Sequence, residues 1–325
     1  MATALGLLSG GLDSTLAALC LRRQGIDVTC IAFVTPFFGA ARATKAAAAL
    51  GLPLIVEEIG AAHLELVKHP LYGYGRNLNP CIDCHAMMFR RAGRRLEAAG
   101  FDFLFSGEVL GQRPMSQNLS ALQTVARHSG YPQHILRPLS AHLLPPTAME
   151  ESGLVARDGL LDIKGRTRRR QQELARAWGV VDFPGSGGGC LLTENSFSGR
   201  LRDLLSHQPD CTTHDIEVLK LGRQFRLSPQ SKLVLGRDEA DNLRLHALAR
   251  PGDFLLRSRD FTGPLGLLTG THALPELLAA SAIVAAYGKG REESQVAVSI
   301  EGSSDEAALQ VAPASRDSIV SRQIA

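Results

Sequence analysis

Through the first half of the chain, short apolar runs alternate with stretches of helical periodicity. Leu5-Gly6-Leu7-Leu8 predicts a first strand, and residues 14–23 a helix with Leu16, Leu19 and Cys20 on one face. Residues 27–35 form a β-rich run, and residues 40–50 an alanine-rich helix closed by Gly51. Leu54-Ile55-Val56, residues 101–105 and residues 134–136 predict three further short strands. Strands separated by helices imply an α/β fold with a mainly parallel, Rossmann-like sheet. Ligands of such a sheet sit outside the carboxyl ends of its strands.

The pattern then changes twice. Residues 139–180 read as a helical annex: Pro145-Pro146 opens it, residues 149–153 form a capped turn, and a basic helix runs from Gly165 to Trp178. Gly185 and glycines 187–189 predict a flexible, closely packed loop. From Thr213 onward the signal is of short β-like runs at 217–220, 224–227, 233–235 and 254–256, with a helix over 277–287. An alternating strand with one exposed face is expected over 294–300, and the last fifteen residues are expected to fray. The organisation is therefore an α/β domain over 1–180, a glycine- and cysteine-containing linker over 181–214, and a smaller α+β domain over 215–325.

Composition narrows the class. Of 325 residues, 45% are hydrophobic and 21% charged, as in soluble globular proteins. No apolar run approaches the ~20 residues that span a bilayer, and the first residues lack the basic start of a secretory peptide. Six unevenly spaced cysteines do not read as an extracellular disulfide framework, so a reducing, cytoplasmic setting is expected. Charge is divided unevenly: residues 1–180 carry 20 Lys and Arg against 14 Asp and Glu, and residues 181–325 carry 15 against 18. A basic first domain suits a phosphate-rich partner.

The densest chemical signal is Ser9-Gly10-Gly11-Leu12-Asp13-Ser14, set between a predicted strand and a predicted helix. Glycines permit a tight turn and close approach of a phosphate, and a helix N-terminus adds unpaired N–H groups and a positive dipole. Ser9 and Ser14 add hydroxyls. Asp13 beside phosphate makes sense with Mg²⁺ between them. The loop lacks the Lys-Ser/Thr ending of a Walker A motif and is not a GxGxxG fingerprint.

Cys81-Ile82-Asp83-Cys84 is the second signal, with Cys190 expected as its remote partner. Two thiolates two residues apart can converge on a metal across a turn; the pair is not expected to open a helix as a redox dithiol does. His85 is available as a fourth zinc ligand. Three cysteines with an open position would instead suit a 4Fe–4S cluster. Cys20 and Cys30 fall in apolar patterns and read as packing residues.

The Ser9–Ser14 segment resembles the SGGxDS pyrophosphate loop of the ATP pyrophosphatase (PP-loop) superfamily. That resemblance implies ATP cleavage between the α and β phosphates, adenylation of a substrate carbonyl oxygen, and displacement of AMP by a nucleophile. Asn79-Pro80 through Cys84 is similar to the Asn-Pro…Cys motif of bacterial tRNA 2-thiouridylases. There Cys84 would take the place of the first catalytic cysteine and Cys190 that of the persulfide carrier. Cys81 departs from them, standing where those enzymes usually have an acidic residue. A CxxC pair plus a distant cysteine resembles the iron–sulfur-dependent tRNA thiouridine synthetases, with Cys81, Cys84 and Cys190 as cluster ligands. The cluster is the favoured expectation, with zinc or a Cys190 persulfide as alternatives.

Residues 103–117 add candidates at a strand's carboxyl end. Ser106-Gly107 resembles the superfamily's second nucleotide-binding position, Glu108 could assist Mg²⁺, and Arg113 could meet the triphosphate or AMP. Arg90, Arg91, Arg94 and Arg95, and Arg166 with Arg168, Arg169 and Arg170, form two basic clusters suited to an RNA backbone. Residues 232–243 resemble the RNA-binding domain of ribosome-associated quality-control proteins, with Lys232, Arg237 and Arg244 as phosphate contacts; protein contact is the alternative there. The reading is an ATP-dependent tRNA sulfurtransferase drawing on sulfide or a persulfide carrier, with self-association as a homo-oligomer left open and no membrane partner. The alternatives are ATP-driven thiolation or amidation of a small metabolite, and a non-catalytic RNA-binding or zinc-stabilised scaffold.

Overall fold

Five parallel strands run through Met1–Thr193, the first of two units into which the chain divides. They are β1 (Thr3–Leu7), β2 (Asp27–Val34), β3 (Leu54–Glu58), β4 (Phe103–Ser106) and β5 (Ile135–Leu136), in the order β3-β2-β1-β4-β5. The helices of this unit are α1 (Leu12–Arg22), α2 (Ala41–Leu50), α3 (Gly60–Lys68), α4 (Cys81–Ala99), α5 (Leu119–Ser129), α6 (Ala148–Glu151) and α7 (Arg169–Ala177). The structure is a computed structural model that describes residues 1–183, 185, 189–271, 273–302 and 307–324. The expected glycine loop lies largely outside the described residues, at 187 and 188.

Alternation along the strands covers both sheet faces. Leu5, Ile31 and Leu104 pack with Phe89 of α4 and Val125 of α5. Ala4, Phe103 and Phe105 pack on the other face with Leu16 of α1 and Ala175 of α7. Burial on both sides is why the strands read as apolar runs. Chain order reverses between β1 and β4, which puts the carboxyl ends of these two strands at a topological switch point. Leu7 and Ser106 are register partners there, so the loops that follow them leave the sheet side by side.

The second unit, Glu194–Ala325, holds a six-stranded antiparallel sheet in the order β11-β10-β8-β9-β7-β6. Its strands are β6 (Arg223–Ser228), β7 (Ser231–Leu235), β8 (Phe254–Ser258), β9 (Gly266–Gly270), β10 (Val296–Glu301) and β11 (Ala307–Val311). Its helices are α8 (Asn195–His207), α9 (Thr213–Leu219), α10 (Glu239–Leu248), α11 (Leu274–Ala286) and α12 (Arg316–Arg322). Leu233, Leu235, Leu256 and Leu268 face α11 through Ile283 and Val284, whereas Val234 and Leu267 face Val218 and Leu245 on the other side.

Three local expectations are corrected. The apolar run at 217–219 is the end of α9, because Thr212 and Asp215 form a capping box that starts a helix before it. The strand at 294–300 is internal, hydrogen-bonded on both edges to β8 and β11 and buried along most of its length. The C-terminal segment does not fray throughout: Ser315 caps α12 by accepting the Ser318 N–H at 3.3 Å. Among the described residues, no helix is long and apolar enough to cross a membrane.

Candidate functional site

The loop between β1 and α1 is shaped by backbone contacts rather than by side chains. Gly10 adopts φ +72°, and a Cβ there would lie 2.2 Å from the Arg42 carbonyl carbon at the start of α2. Gly11 is the N-cap of α1, so no capping side chain covers the first N–H groups of that helix. The Ser14 hydroxyl donates to the Gly11 carbonyl at 2.9 Å and lies 3.3 Å from the Ser9 hydroxyl. Leu12 is fully buried and anchors the turn. Gly107 closes the far side: a Cβ on it would stand 2.3 Å from the Ser14 amide nitrogen. The Ser9–Ser14 and Ser106–Gly107 segments therefore touch.

Asp13 points into a polar cluster that spacing along the sequence does not announce. Gln112 Nε2 donates to its Oδ2 at 2.7 Å, and Arg168 from the annex lies 3.8 Å from the same oxygen. Gln171 of α7 donates to Gln112 at 3.3 Å. Asp13 Oδ1 is buried and has no hydrogen-bond partner among the described residues. A carboxylate oxygen of that kind fits a bound Mg²⁺. Arg113 is exposed, and its neighbour Gln112 is the side chain that reaches Asp13.

Cys81 is the first residue of α4, which corrects the expectation of a turn that opens no helix. Asn79 Nδ2 donates to Cys81 Sγ at 3.3 Å. Cys84 is buried, and its Sγ lies 3.2 Å from Nε2 of His63, a fully buried ring that packs against Phe37 and Phe38. Cys190 is brought to the same neighbourhood by its flanking backbone. Leu191 N–H donates to the Phe37 carbonyl at 3.0 Å, and Asn77 donates to the Thr193 carbonyl at 2.7 Å. Burial pushes the Cys84 thiol well above the usual range, and the charges of Cys190, Cys81 and Asp83 push it further in the same direction. Burial also lowers His63 to about 4, so Cys84 rests as a neutral thiol beside a neutral imidazole. Cys20 and Cys30 are buried and pushed up to about 11 and about 12 by burial, as inert packing thiols are.

Among the described residues, no three of His, Cys, Asp and Glu stand close enough together to hold one metal ion. Cys81 and Cys190 both lie near enough to Cys84 to raise its thiol, and no chemical step is derived through a cluster.

Glu108 joins the two halves of this site. Its carboxylate accepts from Arg137 Nε at 2.9 Å and from the Ser106 hydroxyl at 3.2 Å, and pairs with His85 Nδ1 at 2.7 Å. Both oxygens are thus engaged by the protein, leaving Asp13 as the better placed group for Mg²⁺. Burial alone would raise the Glu108 carboxyl, but Arg137 and then His85 outweigh it and hold it at about 2. A depressed carboxylate stabilises the fold above its ordinary value of 4.5, and that contribution is lost as pH falls through about 2. Arg137 is 8% exposed, so Glu108→Gln would strand a buried cation. Urea unfolding at pH 7 is expected to show a loss of about 3–5 kcal/mol. The difference from wild type should shrink between pH 4.5 and 2.

The basic clusters are partly spent internally. Arg91 and Arg95 both face Glu57, at 3.8 and 3.0 Å. Arg169 pairs with Glu173 and Arg170 with Asp162, while Arg168 faces Asp13. In the second unit Arg237 is held by Asp241 at 2.7 Å and Arg244 faces Glu217 at 3.8 Å. Asp241 also accepts from the Gly222 and Arg237 N–H groups, both at 3.2 Å, which gives the 232–243 segment a structural part in the turn after β7.

Two family models match the chain. Residues 1–142 match the thiamine biosynthesis protein (ThiI) family, and residues 222–323 match the NFACT protein RNA binding domain. The chain is 28% identical over 232 residues to tRNA-specific 2-thiouridylase MnmA 1 of Syntrophus aciditrophicus, covering 64% of this chain and 56% of that protein. It is 37% identical over 100 residues to tRNA-specific 2-thiouridylase MnmA of Desulforudis audaxviator, covering 28% of this chain and 29% of that one. The chain thus spans about half or less of the length of these curated relatives. A solved 4-thiouridine synthetase–RNA complex with bound ATP is 26% identical, with a TM-score of 0.35, covering 43% of this chain and 37% of that one. The first unit is thus a Rossmann-like parallel sheet, most of which lies in the ThiI-family match, and an antiparallel α+β unit with an RNA-binding-domain match follows it.

Proposed function

We propose that the chain is an ATP-dependent tRNA sulfurtransferase that converts a uridine carbonyl to a thiocarbonyl through an adenylated base. The observation that carries this reading is the continuous contact from the nucleotide loop through Gly107 and Glu108 to His85, the residue after Cys84. A base adenylated at that loop would lie toward the thiols. The family match over residues 1–142 and the two thiouridylase relatives support the same chemistry.

ATP would bind with its phosphates at Ser9–Ser14 and Ser106–Gly107, with Mg²⁺ at Asp13. The base oxygen attacks the α-phosphorus and pyrophosphate leaves. This step turns a poor leaving group, an oxygen bonded to a ring carbon, into AMP. Sulfur then arrives as a persulfide on Cys190, whose terminal sulfur attacks the activated carbon and expels AMP. Cys84 next attacks the Cys190 sulfur, releasing the thiolated base and leaving a Cys84–Cys190 disulfide for an external dithiol to reduce. A cluster held by Cys81, Cys84 and Cys190 was the favoured expectation from sequence. The buried Cys84–His63 contact, which gives that sulfur a partner within the protein, favours the persulfide route instead. The second unit would add tRNA affinity.

The test supplies the full-length protein with ATP, Mg²⁺, a persulfide donor and bulk tRNA. Pyrophosphate, AMP and thionucleoside should appear in equal amounts, and tRNA binding should weaken steeply between ~50 and 200 mM salt. ADP as product, or turnover that ignores tRNA and needs only a small metabolite, would overturn the reading. Anaerobic purification yielding about four irons and four sulfides per chain, lost on Cys81→Ala, would restore the cluster route.

A further inference from the structure

A cavity of about 350 Å³ in the second unit lies among α8, α9 and the β6–β7–β9 part of the sheet. Lys232 of β7 lines it and is only 7% exposed. Among the described residues its ammonium makes no hydrogen bond and no ion pair. The carboxylates around it are committed elsewhere. Asp203 holds Arg226 through bonds of 2.6 and 3.2 Å. Asp215 caps α9 by accepting from the Thr212 N–H and hydroxyl at 2.7 and 2.9 Å, and it also faces Arg250 at 3.8 Å. Asp253 accepts the Arg250 N–H at 2.9 Å. Arg200 and Arg226 add like charge, although burial is the main cause that lowers the Lys232 ammonium to about 7.

A buried, uncompensated cation is costly, and a hydrophobic residue of similar size would remove the cost. What a lysine offers at such a place is attraction for an anion that enters from outside. The room available equals the liquid volume of about twelve waters, more than a bare phosphate needs. It lies within the range of small-molecule pockets. His207, His214, Gln208 and Gln230 line the same space and offer ring faces and amide groups of the kind that meet a sugar or a base.

We propose that this cavity is a binding site for a phosphate-bearing nucleotide, with Lys232 as counter-ion to the phosphate. The nucleotide is either a free mononucleotide or the terminal unit of an RNA strand. The site goes beyond the sulfur-transfer reading and stands or falls without it.

The experiment uses the full-length protein in an Asp13→Asn background, which weakens the first unit's nucleotide loop. The chain has six lysines, so limiting acylation with peptide mapping reads Lys232 alone. UMP or AMP should slow acylation of Lys232 at least tenfold, and uridine or adenosine should leave it unchanged. Protection by a short single-stranded RNA but not by mononucleotides would assign the site to an RNA end. By equilibrium dialysis, Lys232→Met should fold normally and lose at least tenfold in affinity for whichever probe protects. The proposal is overturned if neither mononucleotide nor RNA protects Lys232, if inorganic phosphate protects as well as either, or if Lys232→Met binds like its parent. Failure of sulfur transfer with Lys232 protection intact would count against the preceding reading only.

Discussion

Cys190→Ser is expected to lower thionucleoside formation by at least about 10³-fold, while tRNA-dependent release of pyrophosphate continues. A serine cannot carry persulfide sulfur, whereas pyrophosphate leaves in the adenylation step, before sulfur enters. Cys84→Ser should fail differently. The first carbon–sulfur bond still forms and AMP still leaves, but the base then remains joined to Cys190 through a disulfide. Gel electrophoresis without reductant should trap this adduct, and dithiothreitol should release it. Electrostatics supports the order of events. The Cys190 charge is one of the causes that hold the proton on Cys84; a persulfide carries that charge on its outer sulfur, and only bonding to the base removes it. Cys84 thus becomes easier to ionise only once there is something to resolve. Cys81 accepts a hydrogen bond from Asn79 and opens α4; on this route Cys81→Ala should retain at least about a tenth of the activity. Loss as complete as for Cys190→Ser would return the sulfur to a cluster.

The loop and the cysteines were legible for a local reason. A left-handed glycine, an uncapped helix start and a CxxC spacing are written into a few adjacent residues. What converges from afar was not. Gln112 reaches Asp13 across 99 positions, and Arg168 reaches it from a helix that looked like one basic face. His63 carries no signal at all in its sequence context, an apolar helix, until the fold stacks it on Phe37 and Phe38 beside Cys84. Glu108 was found as a strand-end carboxylate, but its role changed because Arg137 and His85 meet it only in three dimensions. The parallel sheet followed from buried apolar runs. Residues 217–219 misled because their apolar content suits either period, and the capping box before them decided the matter.

Gly10→Ala is the second large effect, and it should strike the step before sulfur enters. At φ +72° an alanine costs about 1–2 kcal/mol in backbone strain. Its Cβ would also lie 2.2 Å from the Arg42 carbonyl carbon and 2.6 Å from the Ala43 amide nitrogen. Backbone atoms of α2 cannot swing aside as a side chain can, so the loop itself must shift. A displacement of about 1 Å in a positioning element can cost about 10²-fold in rate. ATP-to-AMP turnover should therefore fall at least that far, and thiolation with it. Gly107→Ala meets the Ser14 amide from the opposite side at 2.3 Å and should give the same loss. Gly130→Ala is the control: it has positive φ at the end of α5 but nothing within 4 Å of its Cβ. It should cost stability, seen as a lower urea midpoint, and leave turnover unchanged. Equal turnover in Gly10→Ala and wild type would mean that the Ser9–Ser14 loop does not hold the phosphates.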